Sequence, residues 1–230
     1  MIRVAPGVDP PVRIDIWSDV VCPWCYIGKR RFETALGRFE HAADVEVVWR
    51  SFELDPAGPR QRDGHLVDLL AAKYGMSREE AEAANARVTA LAADEGLAYR
   101  LDAARPANTF DAHRLIHLAA SRGLGGRAKE TFLAAYFTEG AALGDRDTLA
   151  GLAARVGLDA EEVAAVLDSD AFAADVRVDE QEAHQLGVTG VPCFVIDGRF
   201  AVAGAQSPEL LLQAMRRVWA LAADATGAVG

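Results

Sequence analysis

Two cysteines three places apart, Cys22 and Cys25 in the segment Val21-Cys22-Pro23-Trp24-Cys25, have the residue type and spacing for redox chemistry. The attacking species in disulfide exchange is a thiolate, so a working cysteine needs a depressed pKa, some exposure and a resolving partner within reach. The local sequence places both sulfurs at the start of a helix. Pro23 suits a first turn, and Tyr26, Ile27, Phe32, Ala35, Leu36 and Phe39 recur behind it at helical spacing. There Cys22 faces unpaired N–H groups and the positive end of the helix dipole, which favour the anion. Cys25 lies one turn on, close enough to close a small disulfide ring. The competing reading of Cys-x-x-Cys is a structural zinc site, which wants four ligands. The chain holds no second pair, and His184 and Cys193 are the residues that could complete a set.

The elements that must carry these residues follow from the pattern. Residues 12–17, Val-Arg-Ile-Asp-Ile-Trp, alternate apolar with polar and fit a short strand, and 45–52 form a second β-rich run, so the first fifty residues read β-α-β. From about 62 to 186 the signals are almost wholly helical, enough for six or seven helices rich in Ala and Leu. Ser77 with Glu80, and Asp159 with Glu162, are capping-box pairs, while Gly75, Gly96, Gly123 and Gly157 lie where helices would stop. Leu66, Leu69, Leu70 and Tyr74, and Ala112, Leu115, Ile116 and Ala119, are expected core faces. Strand character returns at 191–203, where Asp197-Gly198 between two apolar runs is a two-residue hairpin signal. Ser207-Pro208-Glu209 opens a last helix carrying Leu210, Leu211, Met215 and Trp219. The class is therefore α/β, with β-α-β and β-β-α halves flanking a helical block and no linker or internal repeat. Pro192 sits at the start of a strand because it cannot donate to a ladder. A cis Val191–Pro192 bond would account for it, and a trans proline opening an edge strand is the commoner geometry.

Composition bounds the partners. With 51% hydrophobic and 25% charged residues among 230, and no low-complexity tract, the chain reads as a soluble globular protein. No apolar run approaches the ~20 residues of a membrane-spanning helix. A net charge of -10 and a pI near 5.0 argue against a nucleic-acid surface. The one basic cluster, Lys29-Arg30-Arg31, is too short to alter that. The segment Met1–Gly7 has neither the apolar core nor the cleavage site of a secretory signal, so a cytoplasmic location is expected. Three cysteines do not make a disulfide framework.

Four segments together carry a family resemblance: Ser18-Asp19-Val20-Val21-Cys22-Pro23-Trp24-Cys25-Tyr26-Ile27-Gly28, Ser51-Phe52-Glu53-Leu54, Asn108-Thr109-Phe110-Asp111-Ala112-His113-Arg114 and Gly187-Val188-Thr189-Gly190-Val191-Pro192. Over nearly its whole length the chain resembles the DsbA-like thioredoxin family, and within it the FrnE-like branch of cytoplasmic oxidoreductases and isomerases. The resemblance implies a thioredoxin-like fold with an inserted all-helical domain. Residues 11–58 and 187–225 would form the discontinuous thioredoxin-like domain, and 59–186 the insertion. Pro192 would be the family's cis-proline, facing Cys22 and presenting the Val191 backbone to substrate. Cys22 would attack a substrate disulfide, or be attacked when oxidised, with Cys25 resolving the intermediate and Pro23-Trp24 tuning the potential.

The expected reaction is thiol–disulfide exchange or isomerisation on protein or small-molecule substrates. It needs no cofactor or metal beyond the redox-active Cys22–Cys25 disulfide, with glutathione as a candidate co-substrate. Nucleic acid and membrane are not expected partners, and a homodimer is compatible with the reading. The rival is a glutathione-dependent transferase or 2-hydroxychromene-2-carboxylate isomerase. Those enzymes are similar around Pro23-Trp24 and Asn108-Thr109 but generally place serine where Cys22 stands. Two cysteines favour disulfide chemistry; a non-enzymatic binding protein would leave both thiols without a purpose. Asn108 would contact a small thiol or cap a helix. Cys193 stands where the family usually has a bulkier apolar residue. It lies near Cys22 as a third redox centre, or packs as a small hydrophobe, which is the favoured reading. His113 and His184 are read as core or helix-surface residues, because disulfide exchange requires no separate base.

Overall fold

The structure is a computed structural model that describes residues 12–227, with side chains through 222. The expectations for Met1–Gly7 and for a domain start at residue 11 fall outside the described residues. At the centre lies β1 (Val12–Ser18), buried on both faces. It pairs in parallel with β2 (Val45–Ser51), from Val12 opposite Val45 to Ser18 opposite Ser51. On its other side it runs antiparallel to β3 (Cys193–Ile196), which pairs antiparallel with β4 (Phe200–Ala203), giving the order β2-β1-β3-β4. The hairpin turn is Asp197-Gly198 as expected. Both residues have positive φ, and the Arg199 amide donates to the Ile196 carbonyl at 3.1 Å.

Strand alternation divides the side chains between two layers. Ile14, Ile16, Phe194 and Ile196 point to one face, where α1 (Pro23–Gly37) brings Phe32 and Ala35 and α9 (Pro208–Gly227) brings Leu211, Leu212, Met215 and Val218. Trp17, Cys193 and Val195 point to the other. Ala183 of α8 (Ala173–Gln185) covers them, and the Trp17 indole donates to the Asp179 carbonyl at 2.8 Å.

Between β2 and β3 the chain forms α2 (Leu66–Tyr74), α3 (Arg78–Asp94), α4 (Phe110–Ser121), α5 (Gly125–Ala134), a π turn (Ala135–Glu139), α6 (Arg146–Val156), α7 (Ala160–Leu167) and α8. Ala112, Leu115, Ile116 and Ala119 of α4 are core, packed in one cluster with Phe132, Leu133, Tyr136 and Phe137. That cluster also takes in Val20, Tyr26 and Ile27. The helical block and the start of α1 therefore share one apolar interior.

Some expectations need correction. Tyr74 is 63% exposed, because α2 lies at the surface and meets the core only through Leu66. Leu210 is likewise exposed, while the next residue, Leu211, faces the sheet. Ser77 and Glu80 form both bonds of a capping box. Asp159 caps α7, but Glu162 turns away to Arg122, leaving half a box. Among the described residues no helix is long and apolar enough to cross a membrane.

Candidate active site

The chain leaves β1 at Ser18 and turns through Asp19-Val20-Val21 into α1, with Cys22 as the N-cap and Pro23 as the first helical residue. The Cys22 amide donates to the Asp19 carbonyl at 3.3 Å, and the Cys25 amide to the Cys22 carbonyl at 3.0 Å. Both cysteines are free thiols. The expected exposure of the attacking sulfur needs correction, for Cys22 is only 4% exposed and Cys25 1%, while Trp24 between them stands 42% exposed. The loop entering β3 lies against the pair. The Cys22 thiol donates to the Val191 carbonyl at 3.4 Å, and the Val191–Pro192 bond is cis.

Pro192 is held from two sides. The Gly204 amide donates to its carbonyl at 2.8 Å, and its ring rests on Gly28, where a Cβ would come within 2.8 Å of Pro192 Cγ. Tyr99, from the segment between α3 and α4, donates its hydroxyl to the Pro23 carbonyl at 2.7 Å. Its ring stacks on Phe137 of the π turn at 4.6 Å between centroids.

Beneath the cysteines lies a buried polar cluster that spacing along the sequence does not reveal. Asp19 accepts from the Leu54 amide at 2.8 Å, and its other oxygen is 3.4 Å from His113 Nε2. Burial alone would raise the Asp19 carboxyl, but His113, the Leu54 amide and the charge of Lys129 hold it below the usual carboxylate value. An ionised carboxylate only accepts, so Nε2 of His113 carries the proton between them. Burial lowers the His113 imidazole despite that bond. Lys129 of α5 is 1% exposed and donates to the Ser18 carbonyl at 2.9 Å. Burial depresses its ammonium to about 8, against the opposing charges of Cys25, Asp19, Cys22 and Asp179. Burial likewise pushes the Cys25 thiol well above its ordinary value, reinforced by Cys22 and opposed by Lys129 and the Asp19 amide.

A sequence model of the DSBA-like thioredoxin domain matches residues 13–216. The chain belongs to that family. A probable DsbA oxidoreductase from Streptomyces coelicolor, known as a crystal structure, is 48% identical, with a TM-score of 0.88 over 91% of this chain and 90% of its own. Uncharacterized protein YwbO of Bacillus subtilis (strain 168) is 29% identical over 206 residues, 89% of this chain and 96% of its own. A 2-hydroxychromene-2-carboxylate isomerase shares the fold alone, with a TM-score of 0.66 at 16% identity over 92% of this chain and 98% of its own.

In this DSBA-like thiol–disulfide oxidoreductase fold, the four motif segments converge. Asn108 accepts from the Phe110 amide at 2.9 Å, one residue ahead of the N-cap Thr109, and donates to Glu53 Oε1 at 3.1 Å. It thereby ties the start of α4 to the segment after β2, whose Leu54 amide reaches Asp19. Cys193 is buried among Trp17, Ala183 and Val195, with its thiol pushed up by burial. His113 is core and His184 lies exposed on α8. Among the described residues no group of three or more His, Cys, Asp or Glu could hold a metal ion. Lys129 was missed, although a cation three, four and seven places before Phe132, Leu133 and Tyr136 on an apolar stripe was a signal for it.

Proposed function

We propose that Cys22 and Cys25 are the redox pair of a dithiol–disulfide oxidoreductase and isomerase of the FrnE-like branch, in which Cys22 attacks and Cys25 resolves. The observation that carries this reading is the placement of the Cys22 sulfur at a helix N-terminus against the Val191 carbonyl, beside a deeper Cys25 held protonated by burial. The attacking sulfur in disulfide exchange is the one an incoming disulfide reaches first, and Cys22 is the N-cap residue that meets the β3 entry loop. The two thiols thus take different parts, one attacking while the other keeps its proton until a mixed disulfide forms. Protein and small-molecule thiols and disulfides are the substrate class, glutathione is a candidate co-substrate, and the cytoplasm is the compartment.

The pair itself separates this from glutathione-dependent isomerisation, which needs a hydroxyl or thiolate at position 22 but no second sulfur at 25. Asn108 has its amide nitrogen committed to Glu53 and its oxygen to Phe110. It serves this reading as a brace for the loop beside the site. Cys22→Ser abolishes reduction of insulin, and Cys25→Ser accumulates covalent complexes with substrate that dithiothreitol releases. A wild-type protein inert toward insulin and small disulfides, yet active in a glutathione-dependent isomerisation, would hand the site to the rival.

A further inference from the structure

We propose that the helical insertion carries a second site, lined by neither cysteine, that binds a small anion bearing two negative charges, a phosphate ester or a dicarboxylate. A cavity of about 480 Å³ opens between three segments: Gly64 and His65 ahead of α2, Arg100 and Arg105 between α3 and α4, and Glu139 and Gly140 at the end of the π turn. That volume lies within the range of small-molecule pockets, ~300–1,000 Å³. Among the described residues three arginine side chains, those of Arg87, Arg100 and Arg105, have no hydrogen bond, ion pair or ring contact. Two of the three line this one cavity, and both are exposed, so a solute reaches them. Another cavity, of about 380 Å³, also holds two arginines, but there Arg60 is paired with Asp111 at 3.1 Å and Arg146 with Asp168. Its cations are already answered.

Within the larger cavity the acidic residues do not answer theirs. Glu139 gives both carboxylate oxygens to Arg155, at 2.7 and 2.8 Å, which leaves Asp102 as the one open carboxylate in the lining against two open guanidiniums. Unanswered charge of one sign in a concavity focuses the field and gathers ions of the other sign. A guanidinium offers a planar fork of N–H donors that matches a carboxylate or phosphate in bidentate fashion, and two forks call for two negative charges. The main chain that carries them is fixed before any ligand arrives. The Arg100 amide donates to the Phe137 carbonyl at 2.7 Å. Gly140, at a φ of 69°, lies so close to Ala103 that a Cβ there would come within 2.8 Å of the Ala103 carbonyl oxygen. Binding therefore orders two side chains and no backbone, which keeps its entropic cost low.

The test is a pair of titrations of the full chain, labelled with nitrogen-15, at about pH 8, one with inorganic phosphate and one with succinate, each against sodium chloride of equal ionic strength. Saturable shifts of the Gly64, Ala103, Ala104 and Gly140 amides are expected with at least one of the two. Saturation by phosphate alone assigns a phosphate ester, by succinate alone a dicarboxylate, and by both a site for either. Arg100→Gln and Arg105→Gln each weaken that binding about tenfold, the loss of one charge-assisted pair. Arg87→Gln removes the third unpartnered guanidinium, outside the cavity lining, and binds as wild type does. Absence of saturation with both anions, shifts reproduced by chloride, or equal weakening in Arg87→Gln would each overturn the inference. None of these outcomes touches the insulin assay, so the proposed function stands or falls separately.

Discussion

A carboxylate without exposed surface is tolerated only where its oxygens are occupied, and Asp19 meets that condition with the Leu54 amide on one oxygen and His113 on the other. The pair has a consequence for pH. Burial keeps His113 neutral below its ordinary value of 6.5, so the unfolded chain takes up a proton there that the folded one refuses. Stability is therefore full above that value and declines as pH falls through it. Glu130 acts in a lower window. Burial would raise it, but Arg30, Lys29 and the Tyr26 hydroxyl bring it from 4.5 to about 2, so its contribution is present above 4.5 and lost toward 2. Urea midpoints measured from pH 8 to 3 should fall in these two stages, with His113→Gln flattening the upper and Glu130→Gln the lower.

Helix α1 starts at Cys22 and also passes close beneath the β3 entry loop, and Gly28 is where the two elements meet. Gly28→Ala forces the Pro192 ring outward, with a cost of about 1–3 kcal/mol for overpacking. It should melt lower and reduce insulin more slowly than wild type. Gly37→Ala, at the far end of the same helix with nothing within 4 Å of its Cβ, should change neither. The strands, the start of α1 at Pro23 and the Asp197-Gly198 turn were legible because each rests on residues adjacent in sequence. The burial of Cys22, the exposure of Tyr74 and the arrival of Lys129 on the Ser18 carbonyl were not. Each depends on which distant segment arrives, and local periodicity carries no record of that.

At the scale of the molecule, α8 binds the sheet and the helical block into one body through Asp179. Its carboxylate accepts from Arg50 and from the Ser51 amide, each at 2.7 Å, and lies 3.1 Å from His117 of α4, while its carbonyl holds Trp17. Asp179→Ala removes one partner of a buried ion pair, at a cost of about 3–5 kcal/mol. Urea unfolding followed by far-ultraviolet dichroism should show that loss in a single shifted transition. Two separate transitions would mean that the layers unfold independently. The basic run Lys29-Arg30-Arg31 is absorbed in the same way, by Glu33, Glu130 and Glu95. The surface keeps the acidic character of its net charge of -10.

Trp24 stands in solvent with a sulfur on either side of it in the chain, whereas Trp17 is sealed beneath α8. A disulfide quenches a neighbouring indole more strongly than a dithiol does, so closure of the proposed Cys22–Cys25 disulfide should dim the emission of Trp24, and Trp24→Phe should abolish the response. The redox state of the proposed Cys22–Cys25 pair would thus be readable as light, in a cuvette without any label.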